Sequence, residues 1–490
     1  MNTQSSSAST HTIRYAISDI ARKAASFIML PVYTRYLTPA DYGVVELLVM
    51  VLLVAQIIFG FKVGQAVVKF HVMSNDNDEK KRILSTAFFS SMVVSALGAA
   101  VIIFISERIS LFAFEDASLS YAVSIFALIL VIQGAEEYGL LHLRIVKNSK
   151  SFLYISLAKL LLQVALNIYF IVFLSMGVKG VVYSALLSSS VFGLIMTIYL
   201  LRFSGFQISY VILKKLFYFS WPLFLSGGAA FFLAFGDRFF ILEYLSLHDI
   251  GIYSLSYKFG FLLMVLGWGP IAKYWQVQQY EAYQQANSVD HFQKAFRFIA
   301  LSLVLIGLSI SMFSEDLIRL MANQEFWVSS KIVPIIILAY LFYALVQFCT
   351  FPLLITNNTK KIAVSTISTA LIMVALYIVL IPDFGLFGAA SATAIGFLVQ
   401  LLLINIVGKI LFDMKLPWLR FSLLSLLASA TYLVSMYAPD DIWLSIMVKI
   451  ILLVIFAFII WRSQFLTVYD KQEVVLVFKG YYNKLGANLK

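Results

Sequence analysis

Charge is scarce in this chain: Asp, Glu, Lys and Arg make up 12% of its 490 residues, where a soluble domain carries about 25%. With 61% of residues hydrophobic and a mean hydropathy of +0.91, a chain this long could not screen its surface from water. Lipid must be the solvent for much of it. Cysteine is nearly absent. Cys349 alone excludes a disulfide framework and any multi-cysteine metal site, and its apolar neighbours suit a small core residue. The five histidines, His11, His71, His142, His248 and His291, are scattered without metal-ligand spacing. The sequence lacks a G-x-x-x-x-G-K-[ST] phosphate loop, an H-E-x-x-H pair and a G-x-S-x-G elbow. No enzyme, cofactor or metal is therefore expected. Met1–Thr12 is polar with no apolar core, which argues against a cleavable signal peptide.

What the sequence does have is long apolar runs. About 20 residues cross the hydrocarbon core as a helix, and the runs predict an all-α integral membrane protein of about fourteen transmembrane helices. They lie near 14–37, 43–66, 84–105, 118–140, 152–174 and 179–201, then 216–242, 252–274, 295–314, 331–354, 361–382 and 385–408. A last pair covers 418–438 and 441–462. Spanning strands are excluded, because the runs are too long and do not alternate. The expected organisation is an N-lobe (1–201), a cytoplasmic linker (202–215), a C-lobe (216–408), a helix pair (409–462) and a cytoplasmic tail (463–490).

The net charge of +11 does not mark a nucleic-acid partner, because the basic residues fall in clusters between apolar runs. With the N-terminus inside, 24 of the 36 Lys and Arg residues lie in inner segments, five in outer ones and seven within spans. This asymmetry places both termini in the cytoplasm. The outer loops are short, so the work is done within the membrane.

The chain also repeats itself. Tyr36-Leu-Thr-Pro-Ala-Asp41-Tyr-Gly43-Val-Val-Glu-Leu47 aligns with Tyr244-Leu-Ser-Leu-His-Asp249-Ile-Gly251-Ile-Tyr-Ser-Leu255, an offset of 208 residues with five of twelve positions identical. The same offset pairs Gly177 and Gly180 with Gly385 and Gly388. A looser echo joins Asn148-Ser-Lys150 to Asn358-Thr-Lys360. A period of six helices gives two lobes inserted in the same direction, related by a pseudo-two-fold axis along the membrane normal. Such repeats are a signature of secondary transporters. The glycines themselves read mainly as hairpin turns.

Charges inside spans are costly and point to function. Asp19, Arg22 and Lys23 share neighbouring faces of the first helix, either as a cationic site on a water-filled cavity or as a packing ion pair. Lys258 either snorkels outward or faces the same cavity. Asp237 and Arg238 end the seventh helix and need not pair, with Arg238 expected to snorkel. Glu46 and Glu136-Glu137 are either coupling-ion ligands or interfacial carboxylates. Lys62 and Lys159 are expected to snorkel, and Lys449 to be structural. The candidate substrate-binding residues are thus Arg22, Lys23, Lys258 and Arg238, and the coupling-ion candidates are Asp19, Glu46 and Asp237.

Pro31-Val-Tyr-Thr-Arg35-Tyr-Leu-Thr-Pro39-Ala-Asp41-Tyr-Gly43 resembles the signature of Wzx-type polysaccharide flippases. So does Asp237-Arg-Phe-Phe-Ile-Leu-Glu-Tyr-Leu, with Gly251-Ile-Tyr-Ser254 and Tyr257-Lys258. That superfamily also holds multidrug/cation antiporters and the lipid II flippase. The resemblance implies two six-helix lobes around a cavity opening alternately to each side. It implies a substrate, an undecaprenyl-diphosphate-linked oligosaccharide repeat unit, moved outward across the inner membrane for O-antigen, capsule or exopolysaccharide assembly. It also implies a polysaccharide polymerase and a chain-length regulator as partners. By position, Arg22 or Lys23 and Lys258 match cavity cations of the lipid II flippase branch, while helix 2 offers only Lys62 where that branch has an arginine. A drug/cation antiporter stays open as an alternative. A membrane glycan polymerase would need a long outer loop, which this chain lacks.

Overall fold

The computed structural model describes residues 26–61, 63–439 and 441–463, with positions 14, 18, 21, 465, 467 and 470–472. Among the described residues all regular structure is helical. The helices are α1 (Leu30–Tyr36), α2 (Pro39–Phe59), α3 (Gly64–Met73), α4 (Asn77–Phe104), α5 (Ser106–Phe114) and α6 (Ser120–Ile145). Then come α7 (Ser149–Ile168), α8 (Gly177–Ser204), α9 (Tyr210–Phe235), α10 (Asp237–Tyr244), α11 (Leu247–Leu262) and α12 (Gly269–Tyr283). The last are α13 (Ser288–Met321), α14 (Ser329–Cys349), α15 (Phe351–Ile355), α16 (Thr359–Leu411), α17 (Trp418–Ser435) and α18 (Ile442–Arg462).

Eleven helical stretches among the described residues are long and apolar enough to cross a membrane. One of them, α16, runs for 53 residues, but Gly385 breaks it with φ 56° and ψ −134°. Its arms return antiparallel. Tyr377 Oη lies 3.0 Å from Thr393 Oγ1, and Gln400 Nε2 donates to Thr366 Oγ1 at 3.3 Å. The two spans expected at 361–382 and 385–408 are therefore these two arms. Large apolar side chains such as Leu97, Phe104 and Phe173 project outward from the helices, as a lipid solvent requires. The protein is a multi-pass membrane protein.

Two expected spans are broken. The second was expected to run over 43–66, but α2 stops at Phe59. Phe61 adopts a left-handed φ of 42°, and the chain restarts as α3. The seventh, expected over 216–242, ends at Phe235, and α10 begins after Gly236.

Two compact units divide the chain, Met1–Ser254 with Met321–Phe326, and Leu255–Leu320 with Trp327–Lys490. In the first, α6 packs against α4 and α8 around a core that includes Leu84, Phe88, Tyr138 and Met196. The Met321–Phe326 loop is stitched onto the end of α1. The Asn323 backbone N–H donates to the Thr34 carbonyl at 3.2 Å, and Asn323 Nδ2 donates to the Arg35 carbonyl at 3.1 Å. In the second unit α14 is the central helix, packed along α16. Lys449 on α18 donates to Asp316 at 2.6 Å, with Ser445 on the same carboxylate at 2.8 Å. This buried pair fastens α18 to α13, the structural role expected of Lys449. Past α18 the chain turns back, and Arg297 grips Asp470 through two hydrogen bonds of 2.7 and 3.1 Å.

Candidate functional site

The repeat reappears as repeated geometry. Thr38 caps α2 in a reciprocal box with Asp41, its Oγ1 accepting from the Asp41 N–H at 3.1 Å. Ser246 repeats the hydroxyl half of this at α11: its Oγ accepts from the Asp249 N–H at 3.3 Å and donates to Asp249 Oδ2 at 2.5 Å. Such boxes satisfy orphan N–H groups at a helix start. Gly177 and Gly385 share φ values of 55° and 56°, and Lys147 and Asn357 share 56° and 57°. The third echo closes the same way in both copies, with Asn148 N–H bonded to the Leu143 carbonyl at 2.9 Å and Asn358 N–H to the Leu353 carbonyl at 2.8 Å.

The first pair of motifs also meets in space. A Cβ on Gly43 would stand 2.1 Å from the Leu247 carbonyl oxygen, and one on Gly251 would stand 1.9 Å from that of Pro39. Pro39 and Leu247 are themselves 208 residues apart. The contact is thus exchanged between equivalent residues, as a two-fold relation demands. Only glycine lets backbones approach this closely.

Next to this contact lies a buried charge cluster. Arg238 Nη1 donates to Asp237 Oδ1 at 3.0 Å, and Tyr253 Oη donates to Asp237 Oδ2 at 2.9 Å. The guanidinium sits 5.3 Å from the Phe235 ring centroid and 5.9 Å from that of Tyr253. Asp237 and Arg238, which need not have paired, do so. One expectation is corrected: Arg238 does not snorkel, because only 3% of it is exposed. Both residues stand in the first turn of α10, where the guanidinium folds back onto its neighbour's carboxylate.

A second polar locus lies on α7. Ser156, Lys159, Gln163 and Asn167 recur at helical spacing and share one face with Glu136 of α6 and Tyr33 of α1. Lys159 forms an ion pair with Glu136 Oε2. Gln163 Nε2 donates to Ser184 Oγ at 3.2 Å, Ser184 hydrogen-bonds Asn167 Oδ1, and Asn167 Nδ2 donates to Tyr33 Oη at 2.9 Å. Tyr33, Glu136, Ser156, Lys159, Gln163 and Asn167 line a cavity of about 360 Å³. Lys159 therefore reaches a carboxylate instead of snorkelling, and Glu136 is a buried ion-pair partner instead of an interfacial group. Glu136 Oε1 has no hydrogen-bond partner among the described residues. The sequence signal was present in the α7 spacing, but it is mostly neutral and did not stand out beside the charges.

Asp19, Arg22, Lys23 and Lys62 lie outside the described residues. Glu46 is half-buried on α2, and Lys258 is half-buried on α11 within the second unit, where the neighbouring Tyr257 ring packs edge-on against Tyr340 at 5.8 Å. The histidines hold one surprise: His71 and His142 stand with ring centroids 5.9 Å apart, and His142 Nδ1 is 2.8 Å from Tyr199 Oη. No group of three or more metal-binding side chains occurs among the described residues.

The family described as polysaccharide biosynthesis protein matches residues 32–275. A Shigella flexneri protein named as an O-antigen transporter is 19% identical over 396 residues, covering 76% of this chain and 90% of that protein. Among solved structures, the lipid II flippase MurJ in an inward closed conformation aligns with a TM-score of 0.72 and 16% identity, over 92% of this chain and 99% of that one. An inward-facing MATE multidrug resistance transporter of the MOP superfamily aligns with a TM-score of 0.61 and 16% identity, over 80% of this chain and 95% of that one. The fold is therefore that of the MurJ and MATE proteins, and the resemblance read from the motifs at 31–43 and 237–258 stands.

Proposed function

We propose that this protein is a flippase that moves an undecaprenyl-diphosphate-linked oligosaccharide repeat unit from the cytoplasmic to the outer leaflet by alternating access. One observation carries the reading: the match to a polysaccharide biosynthesis family over residues 32–275, which favours glycan export over drug export on the same fold. A diphosphate headgroup cannot cross about 30 Å of hydrocarbon unaided, whereas its polyprenyl tail can stay in lipid. Arg22, Lys23 and Lys258 are proposed to offset the headgroup's desolvation through charge-assisted hydrogen bonds. Arg238, already engaged by Asp237, is proposed to contribute only when that pair opens. Coupling is proposed to run through carboxylates, with Glu136 added to Asp19, Glu46 and Asp237. An inside-negative potential favours outward movement of an anion by about 2.3 kcal/mol per charge per 100 mV. In this reading both termini face the cytoplasm of the inner membrane, and the Gly43–Gly251 contact is a closed outer gate.

The test is genetic and chemical. Deleting the gene should make a lipid-linked oligosaccharide accumulate in the inner leaflet, and a plasmid copy should clear it. Wild-type glycan export with altered sensitivity to organic cations would replace this reading with a drug antiporter.

A further inference from the structure

The α3 helix and the first turns of α9, both in the first unit, form a basic platform that the transport reading does not use. The α3 helix buries Ala66 and Val67 in the same core as Leu216 of α9, with Phe70, Ile212 and Phe219 packed against it. This apolar contact fixes which residues face outward. Lys69 Nζ lies 4.5 Å from the Phe219 ring centroid and 5.5 Å from that of Phe70, and Lys215 Nζ lies 4.4 Å from that same Phe70 ring. Two ammonium groups from separate helices thus converge on one phenyl ring. Neither has a carboxylate partner among the described residues. The acids that follow α3 in sequence are engaged elsewhere: Asp76 caps α4, Asp78 lies 3.5 Å from Lys81, and Glu79 accepts from Ser74 Oγ at 2.5 Å.

Like charges held together repel unless an anion lies between them. Around the pair stand exposed side chains of the membrane-interface type: Tyr210, Phe217, Tyr218 and Trp221 on α9, with Val72 and Met73 on α3. Aromatic rings of this kind settle at headgroup depth. Basic residues there attract anionic lipid. We infer that Lys69 and Lys215 form a docking site for the phosphate of an anionic membrane lipid, with Phe70 and Phe219 as its floor and the α9 aromatics against the acyl chains. Charge complementarity selects this occupant, since a zwitterionic headgroup would bring its own cation to the two lysines.

The experiment uses the full-length protein in vesicles of phosphatidylcholine doped with spin-labelled phosphatidylglycerol or spin-labelled phosphatidylcholine. Spectra report the immobilised fraction of each. The wild type should retain phosphatidylglycerol preferentially. K69Q/K215Q should weaken that retention by about five-fold per lysine, and K69R/K215R should preserve it. Inorganic phosphate at millimolar concentration should not displace the lipid. Equal retention of both lipids by the wild type, unchanged preference in K69Q/K215Q, or displacement by inorganic phosphate would each overturn the inference. The readout is lipid binding without any glycan, so its outcome is independent of the export assay.

Discussion

Gly43 and Gly251 each press against the backbone one turn before the other, at Leu247 and Pro39, so that the repeat in sequence becomes a two-fold contact between helix starts. Neither position has room for a methyl group. G43A or G251A should therefore overpack the contact, at a cost of about 1–3 kcal/mol. The expected outcome is a shift away from this closed arrangement, read as faster labelling of a cysteine at Thr38 in a Cys349→Ser background. Unchanged labelling in both variants would show that the contact does not hold the helix starts together.

The proposed orientation is tested by labelling intact cells with an impermeant thiol reagent, again with Cys349 replaced by Ser. Single cysteines at Asp383 and Pro439 should react from outside, and those at Asn358 and Lys214 should not. Asp383 is two residues from the Gly385 break, where the arms of α16 reverse. A reactive Asn358 would refute the inside–outside alternation.

Glu136 and Lys159 make a sharper test of coupling. Removing one partner of an ion pair whose carboxylate is buried strands that carboxylate, whereas removing both is often nearly neutral. K159M should lower thermal stability, and E136Q/K159M should recover most of it. If Glu136 carries the coupling ion, the recovered double variant should still fail to export glycan in response to an imposed proton or sodium gradient. A stable double variant that exports normally would leave the pair with a packing role alone.

Much of this was legible in sequence. Apolar runs locate helices because lipid leaves the backbone few alternatives. The motif pairing Thr38 with Ser246 survived because a capping box and a close-approach glycine are chemically constrained. The fate of individual charges was harder to read. Arg238 and Lys159 were expected to snorkel because depth along a helix can be counted, while the partner across the gap cannot. Arg238 found Asp237 because its long side chain folds back within the first turn of α10, which residue spacing alone does not reveal. Lys159 found Glu136 only through the packing of α7 on α6, which no local pattern encodes.

The proposed headgroup site predicts a graded loss. R22A, K23A and K258A should each reduce glycan export at matched protein level, since each removes attraction for a desolvated diphosphate. K258R should be milder than K258A, because it keeps the charge while changing the geometry. Full complementation of a deletion by all three alanine variants would refute the cationic site.

Alternating access predicts that the outer turns must part during transport. Thr38 and Ser246 are the N-caps of the two repeated helices, each one residue before the backbone that the opposite glycine touches. A link between them would therefore span the contact. With Cys349 replaced, T38C/S246C should cross-link with a short thiol reagent in the closed arrangement. That bond prevents Pro39 from leaving Gly251 and Leu247 from leaving Gly43. Export should stop when the cross-link forms and return on reduction, while either single cysteine treated alike should export throughout. The single-cysteine controls separate blockage by the link from damage by the reagent. A continuous pore makes a different prediction, since it can pass substrate with the helix starts joined. Full export from quantitatively cross-linked protein would therefore exclude separation of these turns from the transport cycle.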